Sequence, residues 1–291
     1  SAMKKWAKNT QRNHIIVEHN DDSGSVDEQA YIKKLTSDVR VVSIVHTSPV
    51  TGMTVDLEKI TKEVRNVTPD CIIIVDGIQH SSHGAIDVQK YDIDGYVVSP
   101  YKMFSRHGYG VAWASERLCT LNKEQLADGP FQNWELGTRD AGSYATFSDV
   151  VDYLDWLGSN FTESENTRER LEASSIAIKS HEQELVDLVI NGAEDIVGLR
   201  NNKKIRIIGN PASTSREGVV SFFQKNKPSS IIVEELRQRK IRVHIRKDDH
   251  YCGNILRPLN QKDCIRFSIC HYNSKAEVVE FMKAINEISA N

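Results

Sequence analysis

The sequence predicts an α/β protein, with a large domain on a mostly parallel sheet followed by a smaller α+β domain. Three observations predict it. Apolar runs of strand length alternate with amphipathic helix-length segments through the first half, the βαβ pattern. Two of those runs, Val41-Val42-Ser43-Ile44-Val45 and Cys71-Ile72-Ile73-Ile74-Val75, are apolar almost throughout, as strands covered on both faces are. Past residue 160 the pattern changes: a polar stretch over 159–167 leads into a long amphipathic helix at about 168–191, then into strands of a different character. The expected division is therefore 1–160 and 161–291.

Each element has a local reason. Lys4 to Asn13 reads as the end of a helix, and His14-Ile15-Ile16-Val17-Glu18 as a strand. A helix is expected over 27–36 with Asp27 as its cap, and another over 54–66, where Thr54 precedes an amphipathic run. Strands are expected at 41–45, 71–75, 94–98 and 110–114. A helical pattern carried by Val150, Val151, Leu154 and Leu157 runs from Phe147 to Gly158, and the long helix closes at Asn191-Gly192. Strands at 205–208, 218–223, 241–245 and 264–270 alternate with helices near 228–239 and 274–288. A domain that opens on a helix and a central strand is expected to be incomplete at its N-terminus. Ser1-Ala2-Met3 reads either as a tag remnant or as a start in mid-domain.

Composition excludes several function classes. A net charge of −3 gives no overall attraction to nucleic acid or anionic membrane. No apolar run approaches the ~20 residues of a membrane span, and no signal segment opens the chain. Five cysteines without a CxxC pair fit reduced thiols and a cytoplasmic setting, and neither a disulfide framework nor a metal site.

The chemistry concentrates at two strand ends. The run 71–75 stops at Asp76, and Tyr96-Val97-Val98 continues through Ser99-Pro100-Tyr101 to Lys102. A carboxylate and a lysine delivered by neighbouring strands are what pyridoxal phosphate chemistry requires. The amine condenses with the cofactor aldehyde, and the carboxylate keeps the pyridine nitrogen protonated so that the ring accepts electrons. Gln79 offers an amide for the ring oxygen, and the Ser99 hydroxyl is placed to reach a phosphate. Gly137-Thr138 forms a turn just before a helix, a natural anion site. Arg266 interrupts an otherwise apolar strand, where it either snorkels to a surface or faces a carboxylate in a cleft. In Arg237 to Lys247 the alternation of Ile241, Val243 and Ile245 with Arg242, His244 and Arg246 reads as a strand turning its charges to solvent.

Taken in order, these segments resemble the class V aminotransferase family of fold-type I pyridoxal phosphate enzymes. Asp76-Gly77-Ile78-Gln79, Ser99-Pro100-Tyr101-Lys102, Trp134-Glu135-Leu136-Gly137-Thr138 and the Ile265-to-Ser274 segment are similar to four family motifs. The nearest branch is that of the cysteine desulfurases, selenocysteine lyases and isopenicillin-epimerase-like proteins. The resemblance implies that Lys102 forms the Schiff base and moves protons at the substrate α-carbon. It implies that Asp76 pairs with the pyridine nitrogen, Gln79 with the ring hydroxyl, and Ser99 with the phosphate. Thr138 would reach the phosphate of a neighbouring subunit in a homodimer, and Arg266 would hold the carboxylate of a small amino-acid substrate. Cysteine desulfurase-like C–S lysis is the expected reaction. An aminotransferase or epimerase on the same fold, or a cofactor-poor binding or assembly subunit, are the alternatives.

Three departures from the family pattern stand beside this. The family's opening segment, with its phosphate turn and ring-stacking histidine, has no counterpart here, so weak or partial cofactor occupancy is expected. Pro49 stands where the family has asparagine, and Met103-Phe104 follows the lysine in place of Gly-Pro. Asp249-His250-Tyr251-Cys252-Gly253 is partly similar to the desulfurase cysteine loop, which makes Cys252 a candidate sulfur acceptor.

Overall fold

The structure is a computed structural model that describes residues 2–21, 24, 26–131, 133–193, 195–211 and 215–290. Helix α1 (Ala2–Asn9) is followed, after residues without regular secondary structure, by a short helix α2 (Glu28–Ile32), capped as expected by Asp27. Strand β1 (Val41–Val45), helix α3 (Leu57–Val67), strand β2 (Ile72–Asp76), strand β3 (Gly95–Val98) and strand β4 (Val111–Ala114) follow. The sheet order is β1-β2-β3-β4. β1, β2 and β3 are parallel, with Val45 opposite Asp76 and Asp76 opposite Val97, and β4 closes the sheet antiparallel. Asp56 caps α3 through its side chain, and Leu57, Ile60 and Val64 turn inward onto Ile44, Ile73 and Val75. Both strand-end chemistries therefore emerge at the same edge, the C-terminal ends of adjacent parallel strands.

One expected strand is absent. Among the described residues, 14–18 form no strand and pair with no strand, and Ile15 and Ile16 are 50% and 62% exposed. Strand-forming side chains cannot hold a strand without a neighbouring edge to hydrogen-bond to.

After short helix α4 (Glu116–Cys119) the chain runs through an exposed segment to helix α5 (Ala141–Gly158), which packs along the long helix α6 (Thr167–Asn191). Gly158 marks their crossing, since a Cβ there would fall 1.9 Å from the Arg170 carbonyl. A two-residue hairpin, β5 (Gly192–Ala193) with β6 (Ile196–Val197), leads into β7 (Ile205–Ile208), β8 (Val219–Gln224), helix α7 (Ser229–Gln238), β9 (His244–Lys247), helix α8 (Gly253–Leu256), β10 (Asp263–Ser268) and helix α9 (Lys275–Ala290). The second sheet is antiparallel in the order β7-β8-β10-β9. Val220, Phe222 and Ile265 on one face pack against α6, α7 and α9. Phe223 and Cys264 on the other pack with α8 and with Val50 from the loop after β1.

That loop, 47–54, is the junction between the sheets. Thr54 N donates to Ser215 O, Glu217 N donates to Gly52 O, and the buried Arg216 guanidinium donates to the carbonyls of Thr51, Ile208, Asn210 and Val219. Gly52 is required here: its φ is 75°, and a Cβ would meet Val219 O at 2.2 Å.

Candidate active site

The site is built where β2 and β3 end against the second sheet. β2 stops at Asp76 because the chain turns sharply: Gly77 allows the Tyr96 ring to fill the space its Cβ would occupy, and Asp76 Oδ1 accepts from Ile78 N at 3.0 Å. Beyond Gln79 a short 3-10 turn, His80–Ser82, brings His80 against Glu217, which precedes β8. β3 runs into a second 3-10 turn, Pro100–Met103, entered through Ser99, whose carbonyl accepts from Lys102 N at 3.0 Å. Proline at the first position of the turn costs no hydrogen bond and fixes the exit direction.

Lys102 is half-buried, and its Nζ donates to Gln79 Oε1 at 2.8 Å. Burial, reinforced by the Arg266 guanidinium, pulls its pKa down to about 8, while the nearby Asp76 carboxylate works the other way. An amine in that state has a usable free-base fraction near neutral pH. Arg266 reaches across from β10, and its Nη1 donates to Pro49 O at 3.0 Å. Pro49 thus contributes through its carbonyl, orienting the arginine. Burial and then the neighbouring Arg246 lower the Arg266 pKa. Among the described residues neither Arg246 nor Arg266 enters an ion pair, and the buried Arg266 Nε has no hydrogen-bond partner. Two cations without a carboxylate, beside a lysine, make a strongly anion-attracting pocket wall.

The structure thus gathers Asp76, Gln79 and Arg266 around Lys102, with Ser99 at the end of β3. It does not bring Thr138 there: Gly137 and Thr138 are exposed on the segment before α5. Cys252 is 1% exposed, packed against Cys264 and Val50, and its Sγ lies 3.1 Å from Arg246 Nε. Arg246 departs from the sequence expectation of a solvated charge. Its register partner on β10 is Cys264, so it points to the face shared with Arg266, while Arg242 and His244 are exposed as expected.

Sequence reading missed a buried polar layer beneath the cleft. His83 Nδ1 lies 2.7 Å from Glu182 Oε2 and its Nε2 lies 3.0 Å from Gln79 Nε2. His80 Nδ1 lies 2.5 Å from Glu217 Oε1, and the His80 ring stacks on His46 at 3.7 Å. Burial, with His80 beside it, pushes His46 down to about 2, so it stays neutral opposite the Tyr96 hydroxyl at 2.9 Å. One local signal exists: Glu182 stands on the apolar stripe of α6 with Ile178, Leu185 and Val189, where a charge needs a buried partner.

The sequence profile of the aminotransferase class-V family matches residues 1–281. This chain belongs to that family. Its members depend on pyridoxal phosphate. A probable cysteine desulfurase of Treponema pallidum is 23% identical over 92% of this chain and 63% of its own length. The aminotransferase-like protein FGM3 of Gibberella zeae is 26% identical over 87% of this chain and 60% of its own. The apo structure of a cysteine desulfurase from Thermococcus onnurineus superposes with a TM-score of 0.79 at 20% identity, over 99% of this chain and 68% of that one. This chain therefore spans somewhat under two thirds of the curated relatives just named and has the family's fold. Its donor set suits the family cofactor: a carboxylate for a pyridinium, an amide for the ring oxygen, and a low-pKa amine within one cleft.

Proposed function

We propose that this protein acts on an amino acid with pyridoxal phosphate held at Lys102, and that the reaction is cysteine desulfurase-like C–S lysis. The observation that carries the reading is the Lys102 amine. It is half-buried, lowered in pKa, held by Gln79, and flanked by the carboxylate of Asp76 and the unpaired guanidinium of Arg266. The cofactor supplies an electron sink for the bond broken at the substrate α-carbon. In this reading Asp76 keeps the ring nitrogen protonated from the end of β2, and Ser99 and the turn after it face the phosphate. Arg266, steadied by Pro49 O, takes the substrate carboxylate in a bidentate grip. Lys102, once free, removes and returns the α-proton. Thr138 serves a second copy of the chain in a homodimer.

One observation favours a second reading, an aminotransferase or epimerase reaction at the same residues. Cys252 is buried under Arg246, and a sulfur acceptor must reach the substrate. The name of the Gibberella zeae relative agrees with that alternative.

The test is to add pyridoxal phosphate, reduce with borohydride and map the labelled peptide. Phosphopyridoxyl on Lys102 is expected, and a label on another lysine overturns the assignment. Incubating the unreduced, cofactor-loaded protein with cysteine and a thiol reductant separates the readings. Alanine, with sulfur passed to an acceptor thiol as a persulfide and released as sulfide by the reductant, marks desulfuration, whereas the oxo acid that keeps the thiol, or inverted cysteine, marks the alternative.

A further inference from the structure

A buried chain of hydrogen bonds leads from Lys102 away from the cleft and ends on α6. Lys102 Nζ donates to Gln79 Oε1 at 2.8 Å, Gln79 Nε2 lies 3.0 Å from His83 Nε2, and His83 Nδ1 lies 2.7 Å from Glu182 Oε2. Gln79, His83 and Glu182 are all buried, so bulk water does not replace a broken link.

The donors and acceptors fix the protonation pattern. A carboxamide accepts only at its oxygen and donates only at its nitrogen. With the oxygen turned to the Lys102 ammonium, the NH2 faces His83, whose Nε2 must be bare to accept. The His83 proton then sits on Nδ1, shared with Glu182. A second proton on His83 would set Nε2–H against the amide NH2, two donors face to face. The amide must then turn over, offering oxygen to His83 and NH2 to Lys102. An ammonium cannot accept from that NH2, but a free amine can.

We propose that the Gln79 amide makes protonation of His83 and of Lys102 mutually exclusive, so that the His83–Glu182 pair decides whether Lys102 is an ammonium or a free amine. This rests on the reading of Lys102 as the reactive amine and gives His83 and Glu182 positioning roles behind it. The balance is simple: the proton leaving Lys102 goes to solvent in the cleft, His83 Nε2 gains one from solvent, and the network keeps one positive charge.

The surroundings support the exchange. Burial opposes a charge on His83, but the Glu182 carboxylate, with Glu217 behind it, outweighs this and raises its pKa. Glu182 is itself raised by burial, against the pull of His83 and His181, and His271 lies close enough to feel the His83 charge. Among the described residues, Oε1 of Glu182 and Oε2 of Glu217 are buried without hydrogen-bond partners, free acceptors on the Glu182 side of His83. Around Lys102, burial and the two arginines disfavour charge and Asp76 favours it. The two titrations are thereby drawn toward each other.

Plain repulsion between two cations would also couple the sites, and a double-mutant cycle separates the causes. The imidazole nitrogens of cofactor-free, 15N-histidine-labelled protein are followed by NMR against pH, with His83 assigned by His83→Gln. Lys102→Met is expected to raise the His83 midpoint by about one pH unit or more. In a Gln79→Met background the same replacement is expected to move it less than half as far. An equal displacement in both backgrounds overturns the proposal in favour of direct repulsion. A second measurement needs no variant: at a pH where Lys102 is still an ammonium, the wild-type His83 is expected to carry its proton on Nδ1 alone. A protonated Nε2 beside a charged Lys102 overturns the proposal equally. No cofactor is present in either measurement, so failure here leaves the borohydride assignment standing, and failure there leaves these midpoints unexplained by it.

Discussion

Lys102 shows how burial gives a single side chain a pH-dependent stability cost. Its pKa of about 8 lies below that of a free lysine, mainly through burial, so the fold penalises the ammonium. The sign follows from proton counting. Between about pH 8 and 10.4 the unfolded chain binds more protons at this residue than the folded one, so stability rises with pH across that window. Below it the penalty is fully present. Replacing Lys102 by Met removes this dependence. The stability difference between variant and wild type is therefore expected to shift by about 1–2 kcal/mol in favour of wild type from pH 7 to pH 10.4, after discounting for the part of the side chain that solvent still reaches. Urea denaturation of both proteins at the two pH values checks this, and a constant difference would show that Lys102 titrates normally. Asp76, Ser99 and Lys102 were legible as residues because a buried strand that ends in a charged or hydroxyl side chain breaks its own pattern. Gln79 was legible only through its place three residues after Asp76.

The α5–α6 hairpin shows what an element-scale reading recovers and what it loses. The apolar spacing of Val150, Leu154 and Leu157 announced α5, but the helix begins six residues earlier than expected, at Ala141. Ala141-Gly142-Ser143 carries none of the apolar spacing that marks the rest of the helix. It is helical because Asp140 caps it, its carboxylate accepting from Ser143 N and Ser143 Oγ. At the other end, Gly158 lets α5 touch α6. A methyl there would fall 1.9 Å from the Arg170 carbonyl, a backbone atom that cannot swing aside. Gly158→Ala is therefore expected to cost about 2–3 kcal/mol through forced separation of the helices, although alanine is the better helix former. Thermal unfolding of this variant should show a clearly lowered midpoint. Gly137→Ala, where a Cβ meets nothing within 4 Å, should leave it nearly unchanged.

At the scale of the whole molecule, the two sheets are joined by a buried arginine that, among the described residues, pairs with no carboxylate. Arg216 is 2% exposed and gives its guanidinium to four backbone carbonyls, from the loop after β1 and from the strands and turns of the second sheet. Burial lowers its pKa to about 10, yet at neutral pH it remains charged and its donors remain in use. Arg216→Met would leave those carbonyls facing an apolar side chain. A loss of about 3 kcal/mol is expected, with Arg216→Lys recovering little of it because one ammonium cannot span the same carbonyls. Chemical denaturation monitored by tryptophan fluorescence tests both. Since the same junction places Pro49 O against Arg266, the Met variant should also lose affinity for carboxylate ligands beyond its loss of stability.

The sequence by itself determined the alternation of strand and helix, the parallel character of the first sheet, and the two strand ends that carry Asp76 and Lys102. These are periodic or terminal features, written in side chains close to one another along the chain. Only the tertiary structure decided the rest. Residues 14–18 have strand-forming side chains, but pairing needs a neighbour, and no neighbour is encoded in the segment itself. His83 meets Glu182 across 99 residues, and Ser221 meets the Val50 carbonyl across 171, distances over which no local pattern speaks. Arg246 looked solvated because alternation gives a face but not what covers it, and the covering came from α8 and the loop after β1. Local rules place a residue on an element. What that residue touches is settled when separate elements close on one another and buried polar groups must find partners there.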